Sequence, residues 1–181
     1  MDSLLIEKLY KHDPVTQERF YKKYGAGMFR ICYRYLGNEH DAAEALNDGF
    51  FKVFSHIHTF NNGGIAGLLA WVRKIMINEC LQHIRKNKHS VFADEKEAIA
   101  QAIPVFQDIE TDAELYFTLI SQLDENYRTV FNLFVIDGYS HQEISGALNI
   151  PENTSRSYLL RARLELQKKI EKIQNHDTTR K

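Results

Sequence analysis

Residues 140–163 read SHQEISGALNIPENTSRSYLLRAR, a pattern typical of a helix-turn-helix. Ser140 and Glu143 have the spacing of a capping box, in which each side chain accepts a hydrogen bond from the other residue's backbone N–H at a helix start. Asn149 and Pro151 follow the first apolar segment, and proline suits the first turn of a new helix because it has no N–H. The stretch predicts a short helix, a tight turn and a longer helix that runs to Lys172.

The longer helix is predicted to be amphipathic. Leu159, Ala162, Leu166 and Ile170 recur at three- or four-residue spacing, so they should face a core. Polar and cationic residues lie on or beside the opposite face in the first turns of the helix. A recognition helix contacts the DNA major groove with residues in these positions. The candidate DNA-binding residues are Glu152, Asn153, Thr154, Arg156, Ser157, Arg161 and Arg163. A helical hairpin with a solvated polar face is the structural alternative.

The net charge of -1 at pH 7 at first argues against a nucleic-acid partner, because Lys and Arg supply most of the non-specific affinity for phosphate. The distribution of charge changes that interpretation. Residues 73–88 and 152–181 are rich in Lys and Arg, whereas the charged residues of 94–125 are almost all Asp or Glu. The sequence therefore predicts two basic surfaces separated by an acidic segment, although solvated helix faces would account for any one cluster.

Helical periodicity also dominates the N-terminal half. Gly37 ends one apolar stripe at a position that favours a left-handed C-cap, and Asn38 is predicted to start the next helix. That helix, which includes residues 41–57, has an apolar face and an acidic outer face. The turn-forming residues 61–64, Asn-Asn-Gly-Gly, interrupt the pattern, which then resumes to about Lys88.

Residues 89–110 lose this periodicity and accumulate acids, which is typical of a linker. Two further apolar sets then predict two helices before the helix-turn-helix. One set is Leu115, Leu119, Ile120 and Leu123, and the other is Tyr127, Val130, Phe131, Phe134 and Val135. We predict an all-α fold of two small helical domains, residues 1–88 and 111–175, with a flexible acidic linker at 89–110 and a tail at 176–181.

Membrane and secreted classes are disfavoured. No apolar run approaches the roughly 20 residues of a membrane span, and the N-terminus lacks the basic segment and cleavage site of a signal peptide. We therefore expect a cytoplasmic protein without direct membrane insertion.

Metal and enzyme chemistry are also disfavoured. Cys32 and Cys80 lie in apolar helical patterns, which predicts buried free thiols. A metal site at Cys80, His83 and His89 is the alternative, but no second ligand pair follows at metal-binding spacing. The eight histidines are scattered and no nucleophile accompanies them. We predict no metal, no cofactor, no small-molecule substrate and no enzymatic activity.

Two stretches together resemble the extracytoplasmic-function (ECF) type of bacterial sigma factor, a branch of the sigma-70 family. Residues 123–163 are similar to the family's domain that reads the promoter -35 element. Residues 41–54, DAAEALNDGFFKVF, followed by Phe60, Trp71, Ile75, Asn78 and Arg85, are similar to its core-binding and -10-reading domain. The resemblance covers nearly the whole chain, in the family's order.

The resemblance implies a subunit that binds core RNA polymerase at its clamp coiled coil, recognises promoter DNA and assists melting. It also implies an anti-sigma factor. The implied core-binding residues are Asp41, Glu44, Asn47, Asp48, Phe51 and Lys52. The resemblance also implies that the loop before the Trp71 helix receives a base flipped from the -10 element. The implied -10 residues are Asn61, Asn62, Trp71, Arg73, Lys74, Asn78, Arg85 and Lys86. For Trp71, a place in the core is the alternative to stacking on DNA.

The chain departs from the family pattern at several positions. Asn47 stands where Gln is common, and Ser155 and Tyr158 replace a commoner Val and Arg. Gly49 should cost about 1 kcal/mol relative to Ala in mid-helix, unless close packing needs the space. A freestanding helix-turn-helix regulator that binds an operator alone is the alternative function.

Overall fold

Helices account for all regular secondary structure in residues 2–61, 63–90 and 112–178, the part of the chain that the computed structural model describes. This confirms the all-α fold. The helices are α1 Asp2–Tyr10, α2 Pro14–Leu36, α3 Glu39–Ser55, α4 Gly64–Ser90, α5 Asp112–Ser121, α6 Glu125–Phe131, α7 His141–Leu148 and α8 Glu152–Thr178. A 3-10 turn at Ile57–Thr59 precedes α4, and a π-helical segment at Asn132–Ile136 extends α6.

The chain divides into two compact helical units, Met1–Ile84 (unit 1) and Arg85–Lys181 (unit 2), and α4 runs across the division. Most of the predicted linker, from residue 91 onward, lies outside the described residues, as do Asn62 and residues 179–181 of the predicted tail. The domain limits given by the sequence therefore stay a prediction.

The connection between α2 and α3 follows the local signals in the sequence. Gly37 adopts a left-handed φ of 77° and its N–H bonds to the Tyr33 carbonyl, which ends α2. Asn38 then caps α3, because its side-chain oxygen accepts a hydrogen bond of 2.8 Å from the Asp41 N–H. Both predicted helix boundaries are confirmed.

Apolar side chains from α2, α3 and α4 fill the core of unit 1. The buried members are Phe20, Met28, Cys32, Tyr35, Phe50, Val53, Leu68, Val72, Met76, Cys80 and Ile84. The two cysteines are free and buried, as predicted. A hydrogen bond with Cys32, and next burial, raise the pKa of the Cys80 thiol.

Helices α3 and α4 approach each other closely at Gly49. A Cβ added there would lie 2.3 Å from the Met76 sulfur, so no larger residue fits without movement. One turn along α3, the Lys52 ammonium lies 2.7 Å from each carboxylate oxygen of Glu79, which is only 7% exposed. Close packing of the two helices accounts for the glycine in mid-helix.

Helices α5, α6 and α8 build the core of unit 2. Leu119, Ile120, Leu123, Ala162 and Leu166 form its buried cluster, against which Ile170 packs. Leu159 is also buried, so the predicted apolar face of α8 is confirmed.

Two apolar residues of unit 2 are more exposed than the sequence pattern predicted. Val135 is 46% exposed and lies in a π-helical turn, in which the Asp137 N–H bonds to the Asn132 carbonyl five residues back. The prediction assumed the regular period of 3.6 residues, from which a π-helical turn departs. Leu115, near the start of α5, is 39% exposed.

Arg128 is buried and stabilises the end of α5. Its guanidinium donates to the Ser121 and Leu123 carbonyls at 2.9 and 3.1 Å. These carbonyls belong to the last turn and exit of α5, where backbone acceptors lack partners within the helix. Among the described residues, no helix combines the length and apolar character that crossing a membrane requires.

Candidate nucleic-acid and polymerase interfaces

The first helix of the helix-turn-helix begins at the predicted capping box. The Glu143 N–H donates to the Ser140 hydroxyl at 3.2 Å, and the Ser140 N–H donates to the Glu143 carboxylate at 2.8 Å. Helix α7 ends at Asn149, whose φ of 53° lies in the left-handed region that Asn tolerates better than most residues. The local geometry of this helix therefore follows from the sequence.

The turn into α8 is fixed by backbone and side-chain bonds. The Pro151 carbonyl accepts from the Thr154 and Ser155 N–H groups at 3.0 and 3.1 Å. The Ser145 hydroxyl donates to the Ile150 carbonyl at 2.6 Å. These bonds set the direction in which α8 leaves the turn.

One polar contact joins α7 to α8, and the sequence patterns did not reveal it. Ser155 is fully buried, and its hydroxyl lies 2.9 Å from His141 Nδ1. The His141 ring stacks on Phe134 with ring centroids 4.4 Å apart. Partial burial, and next the positive charge of Arg156, lower the pKa of His141. The contact accounts for a buried serine at this position, since His141 supplies the hydrogen-bond partner that a buried hydroxyl needs.

The structure places all seven candidate -35 residues between Glu152 and Arg163, in the N-terminal half of α8. Asn153, Arg156, Ser157, Arg161 and Arg163 are exposed, whereas Glu152 and Thr154 are half-buried. Arg156 lies 3.2 Å from Glu152, and Arg161 donates to the Tyr127 hydroxyl at 3.0 Å. Arginine side chains in this position can contact phosphates or the edges of guanine.

Two exposed leucines continue the solvent face of α8. Leu160 and Leu164 are 59% and 49% exposed, and they follow Arg156 at four-residue steps on the same side of the helix. The predicted polar face therefore also carries two exposed leucines beside Arg163, which the choice of candidate residues from the sequence did not include.

The candidate -10 residues of unit 1 lie in the loop before α4 and along α4 itself. Asn61 is exposed, and Trp71 is half-buried with its ring 5.8 Å from that of Phe60. Lys74 and Asn78 are exposed and share a side of α4 with Trp71, because they follow it at three- and four-residue steps. Arg73 is half-buried and lies about 200° further round the helix than Trp71.

The last candidate -10 residues, Arg85 and Lys86, are exposed on the final turns of α4. Trp71 packs against Phe60 and is half-buried, and its contact with DNA stays a prediction.

Four of the candidate core-binding residues form one row on α3. Glu44, Asn47, Asp48 and Phe51 are exposed at three- and four-residue steps, and Phe51 is 74% exposed. Asp41 and Lys52 are half-buried at the edges of this row. The Asp41 carboxylate accepts from the Asn38 amide at 2.8 Å, and Lys52 pairs with Glu79, so both are held by contacts within unit 1.

Among the described residues, the possible metal ligands His40, Asp41 and Glu44 come together at the start of α3. Their ligand atoms lie within 4.8 Å of one another. Acidic residues are common in the first turn of a helix without a metal, because the positive end of the helix dipole stabilises their charge. Cys80, from the alternative site considered above, is instead fully buried against Cys32.

Comparison with known proteins matches both units to one family. The family described as Sigma-70 region 2 matches residues 20–90, and Sigma-70, region 4 matches residues 114–166. The ECF RNA polymerase sigma factor SigW of Bacillus subtilis is 30% identical over 156 residues, which cover 79% of this chain and 82% of SigW. The chain belongs to the ECF RNA polymerase sigma factors. It is a promoter-recognising transcription initiation factor.

A second relative agrees with this assignment, and a solved structure agrees with the fold. SigM of Bacillus subtilis is 24% identical to this sigma factor, over 84% of this chain and 93% of SigM. The sigma factor RpoE of Bartonella quintana, solved with the anti-sigma factor NepR, has a TM-score of 0.56 at 19% identity. That alignment covers 85% of this chain and 96% of RpoE, and it indicates the same fold.

Proposed function

We propose that this ECF sigma factor divides promoter recognition between three surfaces. The outer row of α3 binds core RNA polymerase, the loop before α4 and the exposed side of α4 contact the -10 element, and the first turns of α8 bind the -35 element. The observation that carries the proposal is the orientation of α8, whose buried face is fixed by the unit 2 core while its first turns present cations to solvent.

The row on α3 has the composition of a protein-binding surface. Phe51 is 74% exposed, and large exposed apolar side chains flanked by polar groups favour protein contacts. Glu44 and Asp48 place carboxylates on the same row, where a basic partner such as the clamp coiled coil would find acceptors. Lys52 contributes by holding α3 against α4 through Glu79.

The loop before α4 is suited to a single unstacked base. Gly64 has open space beside its backbone, where an added Cβ would meet nothing within 4 Å. Phe60 with half-buried Trp71 supplies an aromatic wall next to the loop. Lys74 and Asn78 extend from that wall along α4, where a cation and an amide can hold the DNA strand. Base capture here would stabilise the melted upstream edge of the bubble.

The remaining parts of the proposal concern class and partners. The protein acts by binding and not by catalysis, works with RNA polymerase in the cytoplasm, and requires no cofactor or small-molecule substrate. An anti-sigma factor covers its binding surfaces until a signal releases it, as the RpoE complex with NepR suggests. A freestanding helix-turn-helix regulator is the competing function, and it would bind an operator without polymerase.

Run-off transcription with purified core polymerase and genomic promoter fragments tests the proposal. Arg156→Ala should weaken promoter binding about 10- to 100-fold and leave core binding unchanged, whereas the matched control Lys172→Ala, near the far end of α8, should change neither. Asp48→Arg should weaken core binding at least about ten-fold through charge reversal, and Glu171→Arg is its control.

The competing function predicts a different outcome. If no specific transcript depends on the protein, and the protein alone protects a palindromic operator, it is a freestanding regulator. Equal loss of both activities in Arg156→Ala and Asp48→Arg would contradict the division into separate surfaces.

A further inference from the structure

The end of α1 reaches the loop that precedes α4. Tyr10 is the last residue of α1, and its hydroxyl donates a hydrogen bond of 2.6 Å to the Phe60 carbonyl, 50 residues further along the chain. The neighbouring Leu9 is only 1% exposed, which anchors this end of α1 in unit 1. His12 turns the chain with a left-handed φ of 52°, after which Asp13 caps α2. Tyr10 is therefore held in place from both sides.

The hydrogen bond from Tyr10 acts on the first peptide unit of the loop. The Phe60 carbonyl and the Asn61 N–H belong to one planar peptide group, so fixing the carbonyl also orients Asn61. The Phe60 side chain is buried beside Trp71. At the other end of the loop, the Gly67 N–H bonds to the Gly63 carbonyl at 3.1 Å. Phe60, before the loop, is thus held by Tyr10, and Gly63 is held by the first turn of α4.

We propose that Tyr10 is a positioning residue for -10 recognition, which holds the loop in the geometry that receives an unstacked base. This inference rests on the proposed role of the loop in promoter melting. A peptide unit that is already oriented at Phe60 and Asn61 loses less conformational entropy when the base enters, so the bond contributes to binding without any contact between Tyr10 and DNA. Loss of one such hydrogen bond should weaken base capture about three- to ten-fold.

A merely structural role makes a different prediction. If the Tyr10 hydroxyl only docks α1, its removal would affect stability, or would affect every DNA ligand equally. If it positions the loop, its removal affects only ligands that place a base in the loop. The difference can be measured with a strand that lacks that one base.

The test compares Tyr10→Phe, which removes only the hydroxyl, with wild type and with Tyr21→Phe. Tyr21 is a suitable control because it is 38% exposed and Tyr10 is 39% exposed, on the same unit. Each full-length protein is combined with core polymerase. The probes are a labelled non-template single strand from the -10 region of a promoter that this holoenzyme transcribes, and the same strand with an abasic site at each position in turn.

We expect the wild-type holoenzyme to lose affinity at one abasic position. Tyr10→Phe should bind the intact strand about three- to ten-fold more weakly and the strand abasic at that position as wild type does, with Tyr21→Phe unchanged on both. Equal binding of Tyr10→Phe and wild type to the intact strand, or equal loss on both strands, would overturn the role of Tyr10. If wild type distinguishes none of the abasic strands, the proposed base-binding function of the loop fails, and the role of Tyr10 fails with it.

Discussion

Replacing Gly49 by alanine should destabilise unit 1, although the same change usually stabilises a helix. Gly49 lies inside α3, where alanine would gain about 1 kcal/mol over glycine from helix propensity alone. The added Cβ would, however, lie 2.3 Å from the Met76 sulfur and 3.0 Å from its methyl carbon. Ordinary contacts between such atoms are about 3.5–4.0 Å, so the overlap exceeds about 1 Å.

The environment of Met76 determines the size of this effect. Its side chain is 0% exposed, so it has no solvent into which to move and must repack inside the core, or α3 and α4 must separate. Overpacking of this kind costs about 1–3 kcal/mol. After the gain in helix propensity is subtracted, the free energy of unfolding should fall by up to about 2 kcal/mol.

Urea unfolding followed by tryptophan fluorescence measures this change. Trp71 is the only tryptophan of the chain and lies on α4, so its emission reports on unit 1. Gly27→Ala is the matched control, because Gly27 lies inside α2 and an added Cβ would meet nothing within 4 Å. That control should gain about 1 kcal/mol. A similar gain in Gly49→Ala would refute the packing argument, as would an unchanged effect of Gly49→Ala when Met76 is first shortened to alanine.

Two further predictions concern ionisation and thiol reactivity. The folded state lowers the pKa of His141, so the unfolded chain binds more protons at acidic pH. The free energy of unfolding of unit 2 should therefore be highest above about pH 6.5 and should decrease as the pH falls below that value. An NMR titration should give His141 a lower midpoint in the folded protein than in urea, and an equal or higher midpoint would contradict the burial argument. Cys32 and Cys80 should resist a thiol reagent in the native protein and react in urea, because both are buried and the pKa of Cys80 is raised. Rapid native labelling of either thiol would show that the α2–α4 contact opens readily.

Features that depend on hydrogen bonds within a few residues could be predicted from the sequence. The capping box at Ser140 and the helix ends at Gly37 and Asn38 are local in this sense, and all three are confirmed. The buried face of α8 could also be predicted, because apolar spacing alone determines which side of a helix faces the core. The binding roles of residues on exposed helix faces stay predictions. Charged and polar side chains are favoured there by contact with water as well as by contact with a partner, so their presence does not distinguish the two.

Contacts between distant residues could not be predicted from spacing. Arg128 belongs to a residue type that is rarely buried, yet its guanidinium satisfies two carbonyls at the end of α5. The bond between His141 and Ser155 joins helices whose relative placement no local pattern specifies. Exposed Val135 lies in a π-helical turn, which the regular period of 3.6 residues does not anticipate.

The α3–α4 contact connects two of the proposed surfaces. The inner side of α3 is held to α4 by Gly49 against Met76 and by Lys52 paired with the buried Glu79 carboxylate. The outer side of α3 carries the row proposed to bind polymerase, and the exposed side of α4 carries Lys74 and Asn78, proposed to contact DNA. Because breaking the pair would leave the Glu79 carboxylate, only 7% exposed, without its cation, the two helices resist sliding relative to each other. Within unit 1, polymerase bound at α3 would therefore hold the DNA-contacting side of α4 at a fixed distance and angle, which is what placing a melted strand beside the polymerase requires.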